Sequence, residues 1–203
     1  MQIINTVYKK GLVEIMLSNG TVSPPILYSL FAASGFSKGD DISESELLNL
    51  YSVSEEKRAY NRAIYLVSKS DMSKGMLIEK LKKNFSDDFA LAAANAVEQK
   101  GYICDANYAK RLIKKMLLEG RSEKEIYEKL KQKKISKDII EEEFSVTDFS
   151  DYENCAELIR KKYAAKLLEE NGKQKVISAL MRRGYGFDDI KKALNKYCEE
   201  QDV

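Results

Sequence analysis

Along most of the chain, apolar residues recur at the three- and four-residue spacing of one helical face. In residues 108–144, Ala109, Leu112, Ile113, Met116 and Leu117 mark one helix, and Gly120 ends it. Ser122 with Glu125 three residues on is a capping box that opens a second helix, with Ile126 and Leu130 on its buried side. A third helix follows Ser136 and buries Ile139, Ile140 and Phe144. Residues 1–23 read differently. Ile3, Ile4 and Val7 precede Lys10-Gly11; Leu12, Val13, Ile15 and Leu17 follow, and Asn19-Gly20 is a turn signal before Thr21 and Val22. This predicts a hairpin or three-strand meander packed on a helix, since a lone hairpin is marginal in water. Pro24-Pro25 stands where a helix can begin, with Ile26, Leu27, Leu30 and Phe31 as its apolar face and Gly35 as its stop. Ser43 with Glu46 predicts a further short helix through Tyr51.

From residue 54 onward the helical pattern repeats. Leu81, Leu130 and Leu180 stand 49 and 50 residues apart. After each come a basic pair or triplet, one apolar residue (Phe85, Ile135, Tyr185) and a cap residue (Ser86, Ser136, Gly186). Ala90, Ile140 and Ile190 lie four residues past the caps; Ala94, Phe144 and Leu194 lie eight past. A longer helix precedes each unit, over 60–70, 108–118 and 156–170. The expected fold is therefore mainly α: three tandem three-helix repeats (54–104, 105–150, 151–203) in an elongated, curved array. A small β-hairpin and short-helix module (1–53) precedes them. One such unit cannot bury its apolar face alone, so neighbours are expected to stack.

Charge follows the same period. The net formal charge is only +2, but residues 69–83, 108–134 and 160–183 carry +3, +6 and +6, and the stretches 84–107 and 135–159 carry −3 and −7. In the middle unit Lys110, Arg111, Lys114 and Lys115 fall on one exposed helix face, extended by Arg121, Lys131, Lys133 and Lys134. The last unit has Arg160, Lys161, Lys162 and Lys166, then Lys173, Lys175, Arg182 and Arg183. Such a face either meets nucleic-acid phosphate or an acidic protein surface, or is an ordinary solvated helix face. Tyr102, Tyr108, Tyr127, Tyr163 and Tyr185 stand near basic residues and could stack on bases, but half-buried packing is the default reading. Asp87-Asp88 and Asp188-Asp189 belong to the first turns of third helices, where they complement the dipole.

Candidate catalytic chemistry is sparse. The chain has no His, which removes Ser-His-Asp and Cys-His pairs and imidazole metal sites. Residues 35–39 lack the spacing of a phosphate-binding loop. Cys104, Cys155 and Cys198 form no CxxC and suit a reducing compartment, each expected as a small buried or half-buried apolar residue. No apolar run reaches membrane-span length, and Lys9, Lys10 and Glu14 interrupt the first residues. A cytoplasmic monomer without cofactor, metal or membrane contact is expected.

The repeat is similar to that of the bacterial RecX regulatory family. Gly101-Tyr102-Ile103-Cys104-Asp105 with Tyr108-Ala109 resembles that family's Gly-Tyr-Leu-Asp-Asp-x-x-Phe/Tyr-Ala. Gly120, Ile126, Leu130, Lys133 and Ile135 resemble its middle-repeat pattern closing in Lys-Gly-Ile. Lys173 and Lys175, leading to Leu180 and Arg182-Arg183-Gly184-Tyr185, resemble its last repeat, and residues 63–81 its first. Cys104 replaces an acid, Ser122 a Gly, and Lys134 the Gly of Lys-Gly-Ile; the last puts a tight Gly-type loop in doubt. The resemblance implies a non-enzymatic modulator. Its partner would be the RecA recombinase filament on single-stranded DNA, with RecA's ATP hydrolysis and strand exchange restrained, in homologous recombination and DNA repair. Single- or double-stranded DNA would be a further partner through the basic face. The alternative is a DNA-binding helical-repeat protein that acts without RecA.

Overall fold

The structure, a computed structural model, is described for residues 1–201; the end of the expected third repeat, 202–203, lies outside them. The chain forms two compact units, one of residues 1–71 and 77–103, the other of residues 72–76 and 104 onward.

In the first unit β1 (Ile3–Lys9), β2 (Leu12–Leu17) and β3 (Ile26–Leu27) make an antiparallel sheet in the order β1-β2-β3. The β1–β2 turn is Lys10-Gly11, both with positive φ (51° and 78°), the geometry that matches strand twist in a two-residue hairpin. Ile26 and Leu27 pair with Val13 and Leu12, so they are strand and not the helix start that Pro24-Pro25 suggested. Leu27 also donates its N–H to Ser54 Oγ at 2.8 Å. The helix, α1 (Tyr28–Ser34), begins after this pairing and ends at Gly35, φ 79°. Ile3, Val13, Ile15, Leu17, Ile26, Phe31 and Ile42 form the core beneath the sheet.

Ser43 and Glu46 close a complete capping box at the start of α2 (Glu44–Lys69). Two hydrogen bonds from Ser43 hold the Glu46 carboxyl below its usual range. The expected short helix to Tyr51 and the helix over 60–70 are one element of 26 residues. No Gly or Pro interrupts 44–69, and Ser54 and Glu55 are buried where α2 runs past β3. Helices α3 (Lys74–Leu81) and α4 (Asp87–Gln99) follow, with Asp87 and Asp88 in the first turn of α4.

The second unit holds α5 (Asp105–Leu118), α6 (Glu123–Gln132) and α7 (Lys137–Ser145). Next come α8 (Asp151–Leu158), a π-helical turn (Ile159–Tyr163), α9 (Ala164–Leu167), α10 (Gly172–Met181) and α11 (Phe187–Gln201). Leu81, Leu130 and Leu180 are each fully buried, as are Ala90, Ile140 and Ile190. The turns after Leu130 and Leu180 are built alike, and the one after Leu81 is a residue shorter and has no left-handed position. Phe85, Ile135 and Tyr185 donate N–H to the carbonyls of Leu81, Leu130 and Leu180 at 3.0, 3.3 and 3.3 Å. Lys134 takes φ 58° where Gly184 takes 86°. The tight turn therefore survives the replacement of glycine by lysine.

One joint occurs twice. The Ser73 hydroxyl bonds the Lys133 carbonyl, and Lys74 N–H donates to Asp105 Oδ1 at 2.8 Å. Likewise Ser122 N–H donates to the Arg183 carbonyl at 3.2 Å, and Glu123 N–H to Asp151 Oδ1 at 3.0 Å. An aspartate opening one helix thus satisfies the free N–H of another, a group that no intrahelical carbonyl reaches. This joint also corrects the capping box at Ser122. Glu125 N–H donates to Ser122 Oγ at 3.2 Å, but the return bond is not made. The Arg183 carbonyl holds the Ser122 N–H, and Glu125 pairs with Arg121 at 2.7 Å.

Of the cysteines only Cys155 is buried. Cys104 precedes α5 and Cys198 lies on the outer side of α11, so neither packs as expected. Among the tyrosines, Tyr185 is buried, Tyr108, Tyr127 and Tyr163 are half-buried, and Tyr102 is exposed.

Candidate interaction surface

Ala109, Ile113 and Met116 turn into the core of the second unit, which places Lys110, Arg111, Lys114 and Lys115 outside on α5. The structure then divides the sixteen candidate cations by what they do. Arg183 is structural: its guanidinium donates to the carbonyls of Glu119 and Gly120 at 2.7 and 3.1 Å, satisfying the end of α5. Lys133 and Lys134 form the turn that holds Ser73. Lys115 and Arg121 each approach Glu119 at 3.9 Å. Lys131 pairs with Glu128 at 3.5 Å, Lys161 with Glu157 at 2.5 Å and Lys175 with Glu169 at 3.2 Å. The Lys161 ammonium holds the Glu157 carboxyl below its usual range. Such exposed pairs are weak and open readily to another anion. Lys110, Arg111, Lys114, Arg160, Lys162, Lys173 and Arg182 are exposed. Lys166, in α9, is half-buried.

Two hollows join part of this set. One, of about 580 Å³, lies between α5 and the end of α7 and is lined by Lys110, Lys114, Leu117, Leu118, Val146 and Thr147 among others. The second, of about 320 Å³, is lined by the same Leu117 and Leu118 together with Gly120, Leu158, Lys161 and Lys162. Gly120, φ 69°, permits this: a Cβ there would lie 2.7 Å from Leu158. The π turn carries Arg160, Lys161 and Lys162 in succession. Arg160 and Lys161 also line a third hollow, of about 520 Å³, with Tyr152 and Lys196. Lys110, Lys114, Lys161 and Lys162, with Glu143 and Glu157 between them, therefore flank a leucine step, while Lys131, Lys173, Lys175 and Arg182 line neither leucine hollow.

The apolar part of this surface was not a sequence expectation. Leu118 is 80% exposed and Val146 74%. Leu118 follows the last core-facing position of α5 and precedes the Gly120 stop, so periodicity assigns it no face. That off-register position was the available signal.

Residues 150–194 match the third three-helix domain of RecX, the segment that here forms α8 through most of α11. A regulatory protein RecX of Streptococcus sanguinis is 30% identical over 169 residues, covering 82% of this chain and 66% of that protein. One of Caldanaerobacter subterraneus is 28% identical over 162 residues, covering 79% of this chain and 81% of that protein. The chain belongs to the RecX family. The fold agrees. A crystal structure of regulatory protein RecX superposes with a TM-score of 0.65 at 19% identity, over 96% of this chain and all of that one. RecX from Lactobacillus salivarius gives 0.59 at 22%, over 70% and 96%. The chain is thus a RecX-type regulatory protein with the RecX helical-repeat fold. No helix among the described residues is long and apolar enough to cross a membrane.

Proposed function

We propose that this RecX-type regulator acts without catalysis, by binding RecA filaments on single-stranded DNA and inhibiting their ATPase and strand-exchange activity. The feature that carries the reading is the leucine step at 117–118 ringed by Lys110, Lys114, Lys161 and Lys162. An exposed apolar anchor inside a rim where lysines outnumber the glutamates Glu143 and Glu157 suits an acidic protein surface better than DNA backbone alone, because phosphates offer leucine nothing to pack against. A ligand that prefers one filament state shifts the population by its differential affinity, with no chemical step. The repeats 54–104, 105–150 and 151–203 are read as the units presenting this face, as a monomer in the cytoplasm.

The test is the ATPase of the cognate RecA on single-stranded DNA while this protein is titrated in. Inhibition at or below equal amounts is expected. Unchanged hydrolysis together with absent filament binding overturns the reading. Tight, salt-sensitive binding to bare DNA without any effect on RecA would instead favour a RecA-independent DNA-binding protein.

A further inference from the structure

The first unit carries a feature that the α5 face does not use. At the hairpin tip, Tyr8 is 55% exposed and Tyr28 48% exposed. Their rings meet edge to face, centroids 5.2 Å apart and planes at 86°. Tyr8 is further tied by its hydroxyl, which accepts from Thr6 Oγ1 at 3.1 Å, and Tyr28 by its N–H, which donates to the Gly11 carbonyl at 2.9 Å. These two rings lie outside the core of the first unit, which is built from Ile3, Val13, Ile15, Leu17 and Ile26 with Phe31 and Ile42. A notch of about 340 Å³ is lined by Tyr8, Lys9, Lys10, Gly11, Leu12 and Tyr28, with no carboxylate among them. Lys10 takes φ 51°, a turn position that ordinarily falls to Asn, Asp or Gly. The strain of a lysine there goes with a cation placed at the tip.

We propose that this notch binds single-stranded DNA, with a base stacked on the exposed ring of Tyr8, which Tyr28 braces at right angles, and the backbone held by Lys9 and Lys10. A flat aromatic face beside cations is what sequence-tolerant single-strand binding uses. A duplex keeps its base faces stacked away, and an acidic peptide has no flat face to offer Tyr8. The choice of DNA rests on the regulator reading above; the platform itself does not.

The experiment uses the full chain without RecA, so that its outcome is separate from the ATPase test. The chain has no Trp, so Tyr8→Trp supplies a single fluorophore on the platform. Titration with a 20-mer of deoxythymidine should quench it saturably, and quenching should be absent with a poly-glutamate peptide. Tyr8→Leu and Tyr28→Leu should each weaken binding about tenfold or more. Lys9→Ala with Lys10→Ala should lower the slope of log affinity against log salt by about 1.4. Oligonucleotide binding that leaves the fluorophore unquenched and survives both Leu variants overturns the proposal. So does failure to bind the oligonucleotide, and so does equal binding of poly-glutamate with the same losses.

Discussion

Gly75 and Lys134 share a contact that only one of them can make with a side chain. A Cβ at residue 75 would fall 2.6 Å from both the Cβ and the carbonyl oxygen of Lys134. At the second copy of this joint the glycine is on the other side: a Cβ on Gly184 would fall 2.3 Å from Ser122 Oγ. Each joint thus has a glycine, in the helix at one and in the turn at the other. Gly75→Ala should destabilise the protein by about 1–3 kcal/mol through overpacking. Lys134→Gly should stabilise it by about 1 kcal/mol by relieving a left-handed lysine. The double variant should stay below wild type, because the carbonyl remains in the way. Chemical denaturation of the three variants checks this order.

The repeat was legible because its period is carried by core residues. Leu81, Leu130 and Leu180 are all fully buried, and periodicity reports burial directly. Three features were not legible. The strand at Ile26–Leu27 depends on pairing with Val13 and Leu12, which no local signal encodes. The continuity of α2 past Tyr51 came from the absence of a breaker, whereas the expectation weighed only the start signal. The half-made box at Ser122 depends on Arg183, 61 residues away. The cationic candidates were too many for a different reason. Sequence counts charge, but Arg183 serves a helix end and Lys133 a turn, and only contacts distant in sequence separate these from Lys110 and Lys114.

The equivalence of the three leucines has an energetic consequence. Leu81→Ala, Leu130→Ala and Leu180→Ala should each cost about 2–5 kcal/mol, the range for a fully buried leucine that leaves a cavity. Urea midpoints at constant m-value check this. A loss near zero at Leu130 would remove that position from the core.

Asp151 gives a pH signature. Burial, with the Asp189 carboxylate nearby, raises its carboxyl above the ordinary value of 3.8, and the Glu123 N–H only partly opposes this. The folded state therefore holds this proton more tightly than the unfolded chain. This group's contribution to stability is greatest at low pH and is lost as pH rises from the unfolded value through the raised one. Asp151→Asn keeps an oxygen for the Glu123 N–H and removes the titration. The stability of the variant relative to wild type should therefore rise in the pH window just above 3.8, the ordinary carboxyl value. A flat difference across that window would contradict the assignment.

Cys155 should be chemically silent. Burial is the main cause that pushes its thiol up to about 12, with Asp189 and Asp151 adding to it. A thiol reagent at pH 8 should label Cys104 and Cys198, both exposed, and reach Cys155 only after denaturation, as counted by mass spectrometry.

The leucine step separates two ways in which a basic face can work. If charge alone acts, any four lysines of the second unit should count equally, because long-range attraction sums over the surface. If the face docks as a unit, position matters. Lys110→Glu, Lys114→Glu, Lys161→Glu and Lys162→Glu together should abolish inhibition of the RecA ATPase. Reversing Lys131, Lys173, Lys175 and Arg182, which line neither leucine hollow, changes net charge equally and should weaken inhibition far less. Leu118→Ser removes no charge and should still raise the half-inhibitory concentration about tenfold, as expected for an anchor at the centre of an interface. Because Leu118 is 80% exposed, this variant should melt like the wild type. Equal loss from both four-site variants, with Leu118→Ser inert, would assign the effect to net charge and remove the leucine step from the interface.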